Sequence, residues 1–390
     1  MTRSPGHIAV VGAGVFGASA AVELRRRGWA VTLVDPGPLP HAAASSTDVS
    51  KVIRMDYGSD LFYHRLGEAA LEGWDRWNRD WPRELYHENG FLILSAKPMN
   101  PGDFAYESYQ ALIEGGHSPV RLTDIPATRT ERWDLTGYAD GYFNPRAGWA
   151  ESGAVVEQLL GQGEALGVEV HAGAMRHLLF QGSRATGIMT TNDVRIDADI
   201  VLVAAGSWTP SLFPWMSDLI WSTGQPVIHF QVEDPAAYSG DHFPPWAADI
   251  ANSGWYGFPA LPDGRVKVAN HGPGAPAHPD ARGVVGPDHD ERARAFLRAA
   301  LPGLADKPIV YRRICMYCDS FDGDLLISGA PDREGLFVAT GGSGHGFKFA
   351  PVMGDLIADV VEGAENRWAS RFAWRTRTEV RTEEARFNGE

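Results

Sequence analysis

A glycine-rich turn near the N-terminus constrains the fold of this chain more than any other feature. Residues 7–11 form a short apolar run rich in β-branched side chains, and Gly-Ala-Gly-Val-Phe-Gly follows it at positions 12–17. A helical pattern then continues to Gly28, and a second apolar run begins at Ala30 and ends at Asp35. The spacing predicts a strand, a tight turn, a helix and a second, parallel strand.

In this context each glycine of the turn has its own task. Gly12 makes the turn, Gly14 lets a pyrophosphate approach the backbone, and Gly17 lets the helix pack against the strand. Asp35 is placed to accept hydrogen bonds from an adenosine ribose. The segment therefore predicts a dinucleotide site, and the fingerprint alone does not choose between FAD and NAD.

A second glycine-rich loop occupies residues 341–351, with the sequence Gly-Gly-Ser-Gly-His-Gly-Phe-Lys-Phe-Ala-Pro. Pro351 is tolerated in the first turn of the helix predicted to follow, and Gly363 is a plausible end to that helix. Such a loop directs free N–H groups and the positive end of a helix dipole at an electron-rich group. His345 and Lys348 lie in the loop itself, which favours a binding site over a bare structural turn.

Composition excludes several classes of protein. The chain has 390 residues, 44% of them apolar, and a net charge of -14, which argues against nucleic acid or an anionic membrane as a partner. The two cysteines, Cys315 and Cys318, cannot form a disulfide framework and suit a reducing compartment. No apolar segment approaches the ~20 residues that span a bilayer. We expect a cytoplasmic protein with a loosely packed end after Asn366.

The order of the remaining patterns predicts an α/β chain with two domains. Apolar runs at 200–203 and 335–340 return to the nucleotide-binding domain, and the stretches between them carry alternating β-type segments. We expect residues 1–80, 145–215 and 305–370 to form the nucleotide domain, residues 81–144 and 216–304 the substrate domain, and 371–390 a tail. Helices are predicted at 61–77, 107–115, 150–166 and 290–300, and further strands at 90–95, 168–171, 227–232, 266–270 and 309–319.

The polar stretch from Ser45 to Gly58 follows the cofactor turn closely along the chain. Lys51 and Arg54 are three residues apart and could act together on one anion. The alternative is that both are solvated bases on a loop. The residues alone leave this choice open.

Together these motifs resemble a known family of flavoproteins. Residues 341–348, Cys315-Met316-Tyr317, residues 45–58 and Trp255-Tyr256-Gly257-Phe258-Pro259 look like monomeric sarcosine oxidase and its relatives N-methyl-tryptophan oxidase, pipecolate oxidase and the fructosyl amino-acid oxidases (amadoriases). The resemblance covers the chain from His7 to about Gly363. It implies a D-amino-acid-oxidase-like fold: a Rossmann-like FAD-binding domain with an inserted antiparallel-sheet substrate domain. It also selects FAD over NAD.

The resemblance assigns roles to several cations. Arg54 and Lys348 match residues that hold the substrate carboxylate, and Lys51 matches a residue that covers the flavin face. Lys267 matches a lysine near flavin N5 that stabilises the negative charge formed on oxygen; the alternative is a solvent-facing strand residue. Tyr256 and His271 match residues that line the substrate pocket and could equally be ordinary packing.

These matches define the predicted site, with no metal. The substrate side comprises Lys267, Arg54, Lys348, Tyr256, His271 and His345. The cofactor side comprises Gly12, Gly14, Val15, Phe16, Gly17, Asp35, Ser45, Ser46, Lys51, Gly206, Trp208, Cys315, Gly344, Gly346, Phe347 and Lys348.

A cysteine in the position of Cys315 carries the flavin covalently in this family. A thiolate is a soft nucleophile suited to attack on the electron-poor ring methyl. Cys318 complicates the assignment, because a Cys-x-x-Cys pair could be a redox dithiol or half of a zinc site. The chain offers no second cysteine pair and no histidines at a complementary spacing, so we expect Cys318 to be a small buried side chain.

The implied reaction is oxidation of a secondary amine that carries a carboxylate. Hydride transfer to flavin N5 would give an imine that water hydrolyses, and O2 would be reduced to hydrogen peroxide by a monomeric enzyme. Fructosyl amino acids and cyclic imino acids are alternative substrates. A dehydrogenase with another electron acceptor and a non-catalytic flavoprotein are alternatives of other classes.

Overall fold

A computed structural model describes residues 6–389. Its nucleotide-binding layer is a six-stranded sheet built around the first strand, His7–Val11, which pairs in parallel with Ala30–Asp35 on one side and Ile200–Val203 on the other. These strands are mostly apolar because both faces of the sheet are covered. In spatial order the strands are Leu326–Gly329, Leu336–Thr340, Ile200–Val203, His7–Val11, Ala30–Asp35 and Glu169–Ala172.

The turn after the first strand requires glycine at two positions. Gly12 has φ +103°, and a Cβ on Gly17 would lie 1.8 Å from the Gly12 carbonyl oxygen. Side chains at either place would separate the helix Val15–Arg26 from the sheet. The predicted strand–turn–helix–strand unit is confirmed.

The second large element is a nine-stranded, mostly antiparallel sheet. Its strands, in spatial order, are Ala275–Pro276, Ile220–Gln231, Arg265–Asn270, Trp255–Ala260, Trp246–Ala248, Phe91–Ser95, Asp140–Asn144 and Val120–Arg121, with Ile309–Ser320 paired to Ile220–Gln231. Two three-stranded sheets complete the β-structure: Met175–Gln181 with Arg184–Thr190 and Arg195–Asp197, and Lys51–Ile53 with Gly148–Ala150 and Tyr86–His87. The mixed α/β fold class is thereby confirmed, while the domain boundaries stay a prediction.

Two long strands join the hydrophobic cores of the two main sheets. Ile220–Gln231 and Ile309–Ser320 are antiparallel along almost their whole length. At one end Ile220 and Cys318 pack in the core that contains Val11 and Val203 of the six-stranded sheet. At the other end Phe230, with Ile309 packed against it, belongs to the core beneath the nine-stranded sheet.

The main helices follow the predicted apolar periodicity with small shifts at their ends. They are Val15–Arg26, Leu61–Asp80, Phe104–Glu114, Ser152–Ala165, Pro287–Ala300 and Ala350–Glu362, with single turns at Thr209–Leu212, Ile250–Ser253, Pro302–Ala305 and Ala369–Phe372. Pro351 lies in the first turn of its helix, and Gly363 ends that helix with φ +69°. Within residues 6–389, no helix is both long enough and apolar enough to cross a bilayer.

The expectation of a loosely packed C-terminal end is wrong. Four arginines of this segment form ion pairs with buried or half-buried aspartates on other elements: Arg371 with Asp60 and Asp324, Arg375 with Asp322, Arg381 with Asp324, and Arg386 with Asp319. Ala385 and Arg386 are buried. The arginines of this segment, which alone would suit a solvated end, instead fix it to the body of the protein.

Candidate active site

A cavity of about 530 Å³ runs along the carboxyl edge of the six-stranded sheet. Fourteen of the predicted cofactor residues line it: Gly12, Gly14, Val15, Phe16, Asp35, Ser45, Ser46, Lys51, Gly206, Trp208, Cys315, Gly344, Gly346 and Phe347. The other two, Gly17 and Lys348, do not. Gly17 lies behind the turn, where it contacts Gly12, and Lys348 faces a second cavity.

The dinucleotide end of the cavity is built by the first glycine turn. Asp35 accepts hydrogen bonds from the backbone N–H of Ala13 at 2.9 Å and of Gly37 at 3.0 Å, and its carboxylate keeps lone pairs for a ribose. Ser46 accepts a bond from the N–H of Val15 at 3.0 Å. The helix that begins at Val15 has no side-chain cap from Gly14, and its N-terminus lines the cavity. This end of the site fits a pyrophosphate and an adenosine ribose.

A second, smaller cavity of about 60 Å³ adjoins the first. The two share Lys51, Cys315, Tyr317, Gly344 and Phe347 in their linings. All six predicted residues of the substrate side line the smaller cavity: Lys267, Arg54, Lys348, Tyr256, His271 and His345. Residues from positions 54 to 348 thus meet beside one end of the cofactor cavity.

Two buried cations dominate one wall of the smaller cavity. Arg54 and Lys348 are each 4% exposed. Lys348 donates to the Tyr57 hydroxyl and to the His345 carbonyl, both at 2.9 Å. Burial, together with the charge of Arg54, lowers the pKa of Lys348 well below its ordinary value. A ligand carboxylate would favour the ammonium form, whose third proton is free to donate. Nη1 of Arg54 has no hydrogen-bond partner within the described structure. Free donors on two buried cations are suited to a ligand carboxylate.

The two histidines of the cavity are held in neutral, defined tautomers. His345 Nε2 donates to the Gly323 carbonyl at 2.9 Å, so Nδ1 accepts from the Tyr57 hydroxyl at 3.0 Å. His271 Nε2 lies 2.7 Å from a Glu383 oxygen, and Nδ1 lies 3.2 Å from the Tyr317 hydroxyl. Burial lowers the pKa of both imidazoles, that of His345 to about 4.

Lys267 also lines the smaller cavity and is 2% exposed. Its ammonium forms an ion pair with Asp48, donates to the Ser50 carbonyl at 2.8 Å, and lies 4.7 Å from the centre of the Phe258 ring. Burial lowers the pKa of Lys267 to about 8, although the charge of Asp48 opposes that shift. The solvent-facing alternative for Lys267 is wrong.

Cys315 lies on the strand Ile309–Ser320, opposite Gln225, and is buried where the two cavities meet. Its sulfur is 3.9 Å from the Nζ of Lys51. Cys318 packs in the core of the six-stranded sheet, with its sulfur 3.2 Å from the Thr340 hydroxyl, and burial raises the pKa of its thiol to about 11. The two cysteines therefore lie in different environments, and Cys318 is the small buried side chain that was expected.

Three ionisable side chains that line the smaller cavity are absent from the predicted set: Asp48, Tyr317 and Glu383. Asp48 lies in the polar stretch 45–58, and Tyr317 lies in the motif Cys315-Met316-Tyr317. Both segments were assigned to the site, so the neighbouring predicted residues indicated that these two side chains could belong to it. Glu383 lies in a segment whose local pattern resembles a solvated end. Nothing near it in the sequence indicates that it meets Arg54.

No metal site was expected from the sequence. Among the described residues, the donor atoms of His64, Glu68 and His117 lie within 4.8 Å of one another. This group lies outside both cavities, and His117 is 2.8 Å from Glu68.

Comparison with known proteins gives consistent matches along the whole chain. Monomeric sarcosine oxidase of Bacillus sp. (strain B-0618) is 26% identical over 362 residues, which are 91% of each chain. N-methyl-L-tryptophan oxidase of Salmonella agona is 28% identical over 364 residues, 91% of this chain and 94% of the relative. Among solved structures, fructosamine oxidase (Amadoriase II) of Aspergillus fumigatus is 25% identical with a TM-score of 0.84, over 100% of this chain and 94% of that one.

These matches confirm the resemblance that the motifs indicated and the D-amino-acid-oxidase-like fold. Residues 7–360 match the family described as DAO, FAD dependent oxidoreductase. The larger cavity is lined by the dinucleotide turn, Asp35 and the N-terminus of the helix Val15–Arg26, which suit the pyrophosphate and ribose of FAD. The chain belongs to the DAO family of FAD-dependent oxidoreductases.

Proposed function

We propose that this protein oxidises an N-substituted amino acid, a secondary amine that carries a carboxylate, and uses O2 as the electron acceptor. The observation that supports this most is the pair of buried cations, Arg54 and Lys348, beside the end of the cofactor cavity. The similar proteins act, by their names, on sarcosine, N-methyl-L-tryptophan and fructosamines. All three names describe N-substituted amines.

In this proposal Arg54 and Lys348 bind the substrate carboxylate. Nη1 of Arg54 and the third proton of Lys348 are free to donate. Since both cations are buried, their interaction with a carboxylate is screened little by water. Two donors on one carboxylate fix the orientation of the adjacent amine and its C–H bond.

Bound FAD would supply the two-electron acceptor for the amine and return those electrons to O2. The chain itself would surround the substrate with buried polar side chains. Neutral His271 and His345 add no further positive charge, and Tyr256 and Tyr317 complete the wall. The nearby buried cations Arg54, Lys348 and Lys267 would favour the neutral amine over its ammonium form, so the amine would release its proton to water as it binds, without a dedicated base.

Lys267 would stabilise the negative charge that develops on oxygen. Its ammonium is buried and fixed by Asp48 and the Ser50 carbonyl. A fixed cation in a water-poor site stabilises a small developing anion strongly. This role favours an oxidase over a dehydrogenase that uses another acceptor.

Covalent attachment of FAD through Cys315 is part of the proposal. The sulfur lies in the lining that both cavities share, and the Lys51 ammonium 3.9 Å away would stabilise a thiolate. Acid precipitation tests the linkage: a yellow pellet is expected from the wild type and a colourless one from Cys315→Ala. A colourless wild-type pellet would contradict it.

The proposed reaction is tested by a peroxide-coupled screen of sarcosine, N-methyl amino acids, cyclic imino acids and fructosyl amino acids. Each candidate is also mixed with the enzyme under argon, where a substrate must bleach the flavin. Bleaching without peroxide in air would identify a dehydrogenase. A protein that none of these compounds bleaches would contradict the proposal.

The carboxylate clamp is tested by Arg54→Met. We expect KM for the substrate found in the screen to rise about 100-fold, because one charge-assisted contact of a buried pair is lost. Arg65→Met is the matched control, since Arg65 is exposed on the helix Leu61–Asp80. An unchanged KM in Arg54→Met would remove Arg54 from the clamp.

A further inference from the structure

The C-terminal segment 381–387 brings a carboxylate into the smaller cavity. Glu383 lines that cavity, and its side chain is 6% exposed. One oxygen, Oε1, is 2.7 Å from His271 Nε2 and 3.5 Å from Arg54 Nη2. The other, Oε2, is 3.9 Å from His345 Nδ1. An acidic side chain therefore lies beside the two cations assigned to the substrate carboxylate.

Backbone and side-chain contacts on both sides hold this segment in place. Before Glu383, the N–H of Arg381 donates to the Phe321 carbonyl at 2.8 Å. After it, the N–H of Phe387 donates to the His271 carbonyl at 3.0 Å, and buried Arg386 pairs with Asp319 at 2.6 Å. These contacts make the segment a wall of the cavity, and Glu383 could leave only if several of them broke.

Two buried polar atoms of opposite character remain unpartnered within the described structure. Glu383 Oε2 lacks a donor, and Arg54 Nη1 lacks an acceptor. Both belong to side chains that line the same small cavity. Buried polar atoms without partners are costly, so this arrangement suits a ligand that offers an acceptor to Arg54 and a donor to Glu383.

We propose that Glu383 accepts a hydrogen bond from the amine nitrogen of the substrate while Arg54 and Lys348 bind its carboxylate. This inference rests on the proposed function and deepens it: the site recognises the amine and the carboxylate of an amino acid separately. It makes Glu383 a substrate-binding residue that selects amino acids over simple carboxylic acids. Interactions with His345, His271 and Arg54 outweigh burial and hold the pKa of the Glu383 carboxyl well below the ordinary value. With both histidines neutral, the hydrogen bond from His271 Nε2 and the charge of Arg54 still favour the carboxylate.

A competing role for the same carboxylate is occupation of the clamp in place of the substrate. The two roles predict different responses to loss of the negative charge. A competitor, once neutralised, would let every carboxylate bind more tightly. An amine-binding group, once neutralised, would strengthen binding of a bare carboxylate but weaken binding of an amino acid, because a charge-assisted hydrogen bond is lost.

The experiment compares the wild-type holoenzyme with Glu383→Gln and uses two probes. Acetate offers only a carboxylate, and its dissociation constant is read from the change in flavin absorption. Sarcosine offers a carboxylate and an amine, and its dissociation constant comes from the concentration dependence of anaerobic flavin reduction. We expect acetate to bind about tenfold more tightly and sarcosine about tenfold more weakly in Glu383→Gln.

Glu379→Gln is the matched control, since Glu379 is exposed in the same C-terminal segment; both constants should stay at the wild-type values there. Glu383→Ala provides a second variant in case Glu383→Gln fails to retain flavin. Changes of the two constants in the same direction, or no change in either, would overturn the inference. A wild-type enzyme that no N-substituted amino acid reduces would instead overturn the proposed function.

Discussion

At the scale of single residues, burial determines what the charged groups of the site can do. Lys267, Arg54 and Lys348 are nearly inaccessible to water, and each has contacts that limit its position. The sequence predicted the types and positions of these residues through their resemblance to a family. It did not predict their partners, because Asp48 and Lys267 are separated by 219 positions along the chain.

Lys267 gives a pH dependence with a definite sign. Its pKa is lowered to about 8, first by burial and against the opposing charge of Asp48, so the ammonium is present below pH 8 and lost above it. We expect kcat/KM for O2 to fall as the pH rises through about 8, while anaerobic flavin reduction does not follow that fall. Stopped-flow oxidation of the reduced enzyme across this range measures it.

Lys267→Met removes the charge at every pH. We expect normal reduction by substrate and oxidation by O2 that is slower by about 100-fold, a loss of about 2.7 kcal/mol of transition-state stabilisation. Lys97→Met is the control, because Lys97 is exposed. Oxygen kinetics in Lys267→Met equal to those of the control would refute the proposed role.

At the scale of elements, local patterns predicted helices and parallel strands well but misjudged long-range contacts. The run 227–232 was predicted as a strand, yet the strand starts at Ile220, because its partner Ile309–Ser320 continues the pairing as far as Ser320. The C-terminal segment shows the same limit. From the sequence alone its arginines indicate a solvent-exposed segment, because the aspartates that they contact lie far away along the chain.

The C-terminal segment should contribute to stability through Arg386. This guanidinium is 5% exposed and pairs with Asp319, which is 3% exposed and also accepts a bond from Thr223. Arg386→Ala leaves a buried carboxylate without its counter-charge, and we expect the free energy of unfolding to fall by about 3 to 5 kcal/mol.

Urea denaturation of the holoenzyme measures this loss. Arg377→Ala is the control, because Arg377 and Asp218 are exposed and 4.0 Å apart; that change should cost about 0.5 kcal/mol or less. A loss below about 1 kcal/mol in Arg386→Ala would mean that the segment adds little to the fold.

At the scale of the whole molecule, the cofactor cavity collects residues from nearly the entire chain. Gly12 and Phe347 line the same cavity although 335 positions separate them. Trp208 and Cys315, which lie between them in the sequence, line it too. The turn at residues 12–17 could be predicted from spacing alone because it is local. The rest of the cavity depended on the resemblance, because spacing carries no signal for contacts between distant segments.

Filling this cavity should stabilise the whole fold, and the proposed thioether makes that stabilisation independent of free FAD. We expect the melting temperature of the wild type to be insensitive to added FAD. In Cys315→Ala it should rise with FAD concentration, by the equivalent of about 2.7 kcal/mol when free FAD is 100-fold above its dissociation constant.

Differential scanning fluorimetry with and without FAD measures this effect, and Cys318→Ala should behave as the wild type. A wild type that free FAD stabilises as much as it does Cys315→Ala would contradict covalent attachment.

The strand pair Ile220–Gln231 and Ile309–Ser320 has a consequence for how substrate enters. Its ends pack in different hydrophobic cores, and backbone hydrogen bonds join its two strands along almost their whole length. The two cores therefore cannot rotate apart unless some of these hydrogen bonds break. Entry and exit should then depend on local displacements around the cavities and not on a hinge between the two cores. The outline of the molecule should change little during a catalytic cycle.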